Sequence, residues 1–386
     1  MNTFERDAAF VAPTYARFPI EIVSGKGALV TDSEGKEYID LGTGIAVNTF
    51  GMCDDEWIAA VTEQLNKFQH TSNLYYSAPC AALAEALCER TGMKKVFFSN
   101  SGAEANECAI KAARRYGTQK KGEDAYTILT LCNSFHGRTI TTLSATGQDV
   151  FHQLFTPLTP GFLHAPANDW DAVRKIADET PLAAIMFEVV QGEGGVNPLT
   201  SEFVHGLAEL AKEKDILLIA DEVQCGNGRT GKLYGYMNYD ITPDIVTTAK
   251  GIGGGLPIGV TMLGERVKDI FSAGDNGSTF GGNPVSCAGA LNILSRLDEK
   301  MLAGIQKRSK MIFDALSGAE GIVSVTGMGL MLGVETVKPA SDVIAACREA
   351  GVLVIKAKNK VRLLPPLNID EALLARALEI LKAACR

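Results

Sequence analysis

The chain has 386 residues, 46% of them apolar and 21% charged, an ordinary globular balance with no disordered tail. That length exceeds what one hydrophobic core sustains, so two lobes sharing one site are expected. A formal charge of −8 argues against a nucleic-acid surface. No apolar run approaches the roughly twenty residues of a membrane helix, and the start MNTFERDAAF lacks the apolar core of a signal peptide.

The first fifty residues read as a short hairpin, with Gly25-Lys26-Gly27 and Ser33-Glu34-Gly35 as turn signals. Short apolar runs follow at 95–99, 126–131, 183–190, 216–221, 245–248 and 257–263, with helical stretches such as 103–116 and 201–214 between several of them. This alternation predicts an α/β fold with a mostly parallel sheet covered on both faces. In the last hundred residues, runs at 329–335, 352–356 and 360–364 lie between helices at roughly 288–316, 339–350 and 370–384, which suggests a smaller α+β lobe. The expected division is 1–54 as an N-terminal segment packing with the small lobe, 55–280 as the large α/β domain and 281–386 as the small domain. Nine cysteines are scattered without a C-x-x-C pair, the usage of a reduced, cytosolic protein whose cysteines serve mostly as small buried hydrophobes.

The chemistry concentrates at the ends of these runs, where open α/β sheets bind their ligands. One run ends in an acid, Asp221; about thirty residues on, another ends in Lys250, followed by Gly251-Ile252-Gly253-Gly254-Gly255. A carboxylate and a lysine on neighbouring strand ends suit pyridoxal-phosphate chemistry. The lysine forms the Schiff base, and the acid keeps the pyridine nitrogen protonated so that the ring draws electrons. Lys250 as a plain surface lysine is the bland alternative, and the TTAKGIGGG setting speaks against it.

A strand ending at Ser99 runs into a helix that begins just after Ser101. Ser101 and Glu104 have capping-box spacing, and Ala105, Ala109, Ala112 and Tyr116 form one apolar face. Gly102 and Ala103 let a ligand approach the backbone, where free N–H groups and the helix dipole favour an anion. Alone this is equally a well-capped helix; beside Asp221 and Lys250 it reads as a phosphate cup. Phe135, in Ser134-Phe135-His136-Gly137-Arg138-Thr139, can stack on a flat ring. No second histidine or carboxylate stands at metal-ligand spacing from His136, so no metal site is expected. Arg138 suits a substrate carboxylate, or plain solvation.

Taken together these motifs resemble the class III (omega-amino acid) aminotransferases over essentially the whole chain. The resemblance runs from Tyr15 and Gly35–Asp40 through Ser99–Glu107, Phe135–Thr139, Glu188–Gly195, Asp221–Gln224, Lys250 and Ser278–Pro284 to Arg362–Leu367. It implies the pyridoxal-phosphate transferase fold of type I, with a seven-stranded-type large domain, a smaller α+β domain, and a homodimer with shared active sites. By the resemblance, Lys250 carries the cofactor and shuttles the proton, Asp221 pairs with the ring nitrogen, and Gln224 bonds the ring hydroxyl. Phe135 stacks on the ring with His136 beside it. Ser101, Gly102 and Ala103 hold the phosphate, which Thr279 reaches from the other subunit.

For substrates the resemblance implies Arg362 on the alpha-carboxylate of glutamate, neutralised by Glu193 when the distal amine enters. Breaking that pair would leave a charge unpaired, the physical basis of a switch; a plain structural salt bridge is the bland alternative. Arg138 would take the other carboxylate, and Tyr15, Thr43–Ala46 and Ser278 would line the pocket. His136 and Phe280 point to the acetylornithine branch of the family. The implied reaction moves the distal amino group of N-acetylornithine to 2-oxoglutarate, giving N-acetylglutamate 5-semialdehyde and glutamate in arginine biosynthesis. Succinylornithine, ornithine and 4-aminobutyrate are the alternative donors. The chain departs from the family pattern at Met52-Cys53, Cys225 and Asn276; none removes a catalytic group.

Rival readings fit less well. Gly226–Lys232 matches G-x-x-x-x-G-K after a strand, but Leu233 stands where a P-loop needs Ser or Thr. No G-x-G-x-x-G follows a strand, and no G-x-S-x-G elbow is present. A non-catalytic relative would be expected to lose Lys250 or Asp221. A racemase, aminomutase or decarboxylase on this fold is the nearer competitor, against which the Glu193 and Arg362 pair favours transamination.

Overall fold

The computed structural model describes the whole chain, residues 1–386. Seven apolar segments form one sheet: β1 (Lys95–Ser99), β2 (Thr127–Leu131), β3 (Phe162–Ala165), β4 (Leu182–Phe187), β5 (Leu217–Asp221), β6 (Ile245–Thr248) and β7 (Gly259–Leu263). Their spatial order is β1-β7-β6-β5-β4-β2-β3. β7 runs antiparallel to both neighbours, and every other pairing is parallel. The central strands β4, β5, β6 and β7 are buried along their full length, which explains why they read as apolar-rich runs rather than alternating ones.

The helix Gly102–Lys121 covers one face of this sheet. Its expected apolar face, Ala105, Ala109, Ala112 and Tyr116, is buried, and a 15-residue cluster joins it to the sheet. A 68-residue core fills the other side and continues into the C-terminal region. There Ile322–Met328, Met331–Thr336, Lys360–Leu363 and Ile355–Ala357 form a four-stranded antiparallel sheet. The N-terminal strands Ile22–Lys26, Leu29–Asp32 and Glu37–Asp40 turn at Gly27 and at Ser33–Gly35, and Val352–Leu353 joins them in parallel.

Three features differ from expectation. The helix expected over 288–316 is two helices, Pro284–Arg296 and Glu299–Leu316. Asp298 ends the continuity by accepting from Met301 N at 2.7 Å, a capping preference stronger than the apolar period that spans it. β3 and Ile322–Met328 were not anticipated, because both are partly exposed and carry no clean apolar run. The helices Thr3–Phe10, Asp55–Leu65 and Ala78–Thr91 were not anticipated either, having few buried residues to set a period. No helix is long and apolar enough to cross a membrane.

Candidate active site

The carboxyl ends of β1, β2, β4, β5 and β6 open on a cavity of about 430 Å³, lined among others by Gly102, Phe135, Glu188, Asp221, Gln224 and Lys250. Asp221 is the last residue of β5 and is buried. Its Oδ2 accepts from Asn106 Nδ2 at 2.8 Å and lies 2.7 Å from His136 Nδ1, while Oδ1 accepts from Val223 N at 3.0 Å. Asn106 is fixed in turn: its Nδ2 also reaches His136 O at 2.7 Å, and its Oδ1 accepts from Thr247 Oγ1 at 2.6 Å. Both oxygens of this carboxylate are thus engaged, which fixes its orientation at the end of β5. His136 Nε2 is buried without a partner.

Lys250 follows β6 after Ala249 and sits half-buried in the same cavity, in a left-handed turn with φ +47°. Burial lowers its pKa from the usual lysine value, partly opposed by the carboxylates of Glu193 and Asp221. The amine is thereby brought toward its neutral, nucleophilic form. Beyond Asp221 stands Glu188, which accepts from Phe135 N at 2.8 Å; burial pushes its carboxyl up to about 7.

On the other side of the cavity the helix Gly102–Lys121 begins. Ser101 caps it, accepting from Glu104 N at 3.2 Å. The reciprocal half of the expected capping box is displaced by one residue: the Glu104 carboxylate accepts from Asn100 N at 3.0 Å rather than from Ser101 N. Gly102 is required by packing, since a Cβ there would stand 2.6 Å from Val223 Cγ1. The first N–H groups of the helix have no intrahelical acceptor and face the cavity's end. Phe135 meets Phe151 edge-on at 5.9 Å, and the exposed Arg138 lies 4.2 Å over the Phe151 ring.

Beside Lys250, Arg362 Nη1 donates to Glu193 Oε1 at 2.6 Å and Nη2 to Oε2 at 3.3 Å. Arg362 is 2% exposed and its Nε has no partner. Burial raises the Glu193 pKa, but the Arg362 charge and hydrogen bond outweigh it and hold the carboxyl below its usual range. Gln224 stands within this pair: its Oε1 accepts from Arg362 Nη1 at 3.0 Å and its Nε2 approaches Glu193 Oε1 at 3.4 Å.

The aminotransferase class-III family profile matches residues 10–385. The chain belongs to the class III aminotransferases. It is 47% identical to the acetylornithine aminotransferase of Haemophilus ducreyi, covering 97% of this chain and 96% of that protein. It is 43% identical to that of Aquifex aeolicus, covering 97% and 99%. Among solved structures, the N-acetylornithine aminotransferase of Stenotrophomonas maltophilia superposes with a TM-score of 0.84 at 36% identity, over 96% of both chains. An ornithine aminotransferase of Toxoplasma gondii, with partial occupancy of pyridoxal phosphate at its active site, superposes at 0.94 and 31% identity, over 99% of this chain and 93% of that one.

Class III aminotransferases work with pyridoxal phosphate, and the cavity fits that group. A free helix N-terminus suits the phosphate, the Phe135 ring borders the space for a flat ring, and a buried carboxylate and a pKa-lowered amine both line it. The flanking residues named from the sequence lie elsewhere. Ser278 accepts from Asn100 Nδ2 at 3.1 Å but borders a second cavity with Asn73, Tyr75 and Tyr76. Thr279 is exposed, and Tyr15, 73% exposed, stacks on Arg17. Thr43, Gly44, Ile45 and Ala46 form a left-handed turn, all with positive φ, at a cost of about 1–2 kcal/mol for each non-glycine residue; Val47 next to it lines the cavity.

In this class III aminotransferase Gly226–Lys232 is no phosphate loop. Arg229 at its centre is buried, donating to Leu330 O at 3.2 Å and Pro365 O at 2.5 Å. Asn106 was missed by sequence reasoning. The available signal was a lone amide among the alanines of a helix face pointing at the sheet.

Proposed function

We propose that the chain moves the distal amino group of N-acetylornithine to 2-oxoglutarate, with Lys250 as the reacting amine. The observation that carries the reading is the Arg362–Glu193–Gln224 cluster beside Lys250, whose pKa both charges influence. Donor and acceptor enter the same site in turn, and only one presents an alpha-carboxylate near the reacting centre. Glu193 neutralises Arg362 while the amine donor is bound, then swings away so that the guanidinium meets the carboxylate of 2-oxoglutarate bidentately. A non-transaminating relative has no need for such a release. The names of the relatives support N-acetylornithine as the donor.

Pyridoxal phosphate, when bound, supplies the carbonyl that takes up the amino group and the ring that draws off electrons. Lys250 would serve as the base that takes the proton from the donor's distal carbon and as the acid that gives it back. Asp221, fixed in place by Asn106, His136 and Val223 N, would pair with the ring nitrogen and favour its protonated form. The N–H groups of Gly102 and Ala103, with Ser101, would bind the phosphate, and Phe135 would pack against the ring. Arg138, steadied over Phe151, receives the carboxylate that Arg362 does not.

The working unit in this reading is a homodimer in which Thr279 and Ser278 border the partner's site. Leu74, Tyr75, Tyr76 and Phe280 are 86%, 72%, 106% and 60% exposed, an apolar surface of the kind that marks an interface. Asn73 ties it to the Ser278 loop, donating to Ser278 O at 3.0 Å and Gly281 O at 2.9 Å.

The experiment is a half-reaction: cofactor-loaded protein mixed with N-acetylornithine, ornithine, succinylornithine or 4-aminobutyrate and no keto acid. Loss of the cofactor's visible band with N-acetylornithine, restored by 2-oxoglutarate, is expected. Response to another amine alone would replace the donor, and response to none would overturn the reading.

A further inference from the structure

We infer that Thr49, together with Asn227, positions Lys250: two buried side chains hold the carbonyl groups of the residues before and after the lysine in its left-handed turn. A non-glycine residue keeps such a turn only where its surroundings impose it. Here the imposition is visible. Asn227 Nδ2 donates to the Ala249 carbonyl oxygen at 3.2 Å and to Thr248 Oγ1 at 2.9 Å. From the other side Thr49 Oγ1 donates to the Gly251 carbonyl oxygen at 2.6 Å. Thr49 is 1% and Asn227 3% exposed, so neither bond competes with bulk water. A Cβ on Gly251 would stand 2.8 Å from Thr49 Oγ1 and 3.3 Å from Asn227 Cβ, which shows how closely the two clamp the turn.

Thr49 is itself anchored to the segment that follows the strand carrying Arg362. Its carbonyl accepts from Leu367 N at 2.8 Å, and Leu364 N donates to Leu41 O at 2.6 Å. Thr43 Oγ1 closes the strap on Leu364 O at 2.7 Å. The segment from Leu41 to Thr49 therefore joins the turn bearing Lys250 to the residues that follow Arg362. The inference rests on Lys250 being the reacting amine. It goes beyond that reading by assigning the setting of that amine to a hydroxyl that need not touch the substrate.

The test compares Thr49→Val, which keeps the shape and removes the donor, with Thr49→Ser, which keeps the donor. Two readouts are taken on cofactor-loaded protein: the pH titration of the cofactor's visible band and the half-reaction rate with N-acetylornithine. Thr49→Val should shift the titration midpoint and slow the half-reaction by about tenfold or more, as small misplacements of reacting groups do. Donor affinity should stay near the wild-type value, and Thr49→Ser should restore both readouts. A Thr49→Val protein matching wild type in both overturns the inference. Should Thr49→Val not fold, Thr49→Ala against Thr49→Ser makes the same comparison, and equal behaviour of that pair overturns it. Wild-type protein that responds to no amine overturns the reading of Lys250 and this inference together. A responsive wild type with indifferent Thr49 variants overturns this inference alone.

Discussion

His136 Nδ1 stands 2.7 Å from Asp221 Oδ2, the oxygen that also accepts from Asn106 Nδ2 at 2.8 Å. The carboxylate at the end of β5 is thus gripped from a loop and from a helix that begins more than a hundred residues upstream. Asp221→Asn should cost on the order of 10²-fold or more in kcat/KM, the scale of losing one preorganised electrostatic partner. Asn106→Ala should leave Thr247 Oγ1 unpaired, remove one of the two partners of Asp221 Oδ2, and destabilise the protein by about 1–3 kcal/mol. Steady-state kinetics and urea unfolding of both variants check this.

Lys250→Ala should remove the lysine-bound visible band and lower turnover by on the order of 10²- to 10⁴-fold or more, the span of a lost general acid–base group. The protein should still bind pyridoxal phosphate, because the cup at Gly102 is untouched. Absorbance spectra and a glutamate-formation assay measure the two effects separately.

Glu193→Gln should favour the acceptor half-reaction over the donor half-reaction. Without the charge that neutralises it, Arg362 remains available to an alpha-carboxylate at all times. A shift of about tenfold in the ratio of the two half-reaction rates corresponds to roughly 1.4 kcal/mol. An unchanged ratio would reduce Glu193 to a structural partner of Arg362.

Burial pushes the Glu188 carboxyl up to about 7 from 4.5. An acid raised in the folded state adds stability that is fully present below its unfolded pKa. That stability is lost as pH rises through the folded one. The melting temperature of cofactor-free protein should therefore fall between pH 5 and pH 8. Glu188→Gln should make that fall smaller by at least about 2 °C, read by scanning fluorimetry across that range.

The large sheet is legible in the sequence because its central strands are buried on both faces and stand out as apolar runs. Lys250 and Asp221 are legible for the same reason, lying at or just past the ends of such runs. Asn106, Asn227 and Thr49 are not, since their importance lies in hydrogen bonds to Asp221, Ala249 and Gly251, across separations that no local pattern records. Gln224 shows another limit. The motif places it beside Asp221, and only the folded chain shows its amide engaged by Arg362 and Glu193. The edge strand β3 and the strand Ile322–Met328 escape because partial exposure blurs their alternation.

The strap from Leu41–Thr49 to Leu364–Leu367 bridges about 320 residues, and contacts of such span close the longest loops and form late. On the ribosome, a chain that has emerged only as far as Thr336 already holds Phe135, Asp221 and Lys250. It still lacks Arg362 and the strap's anchors at Leu364 and Leu367. Such a nascent chain would own the reactive groups while their setting is loose, and would gain directed chemistry only when its last strand docks.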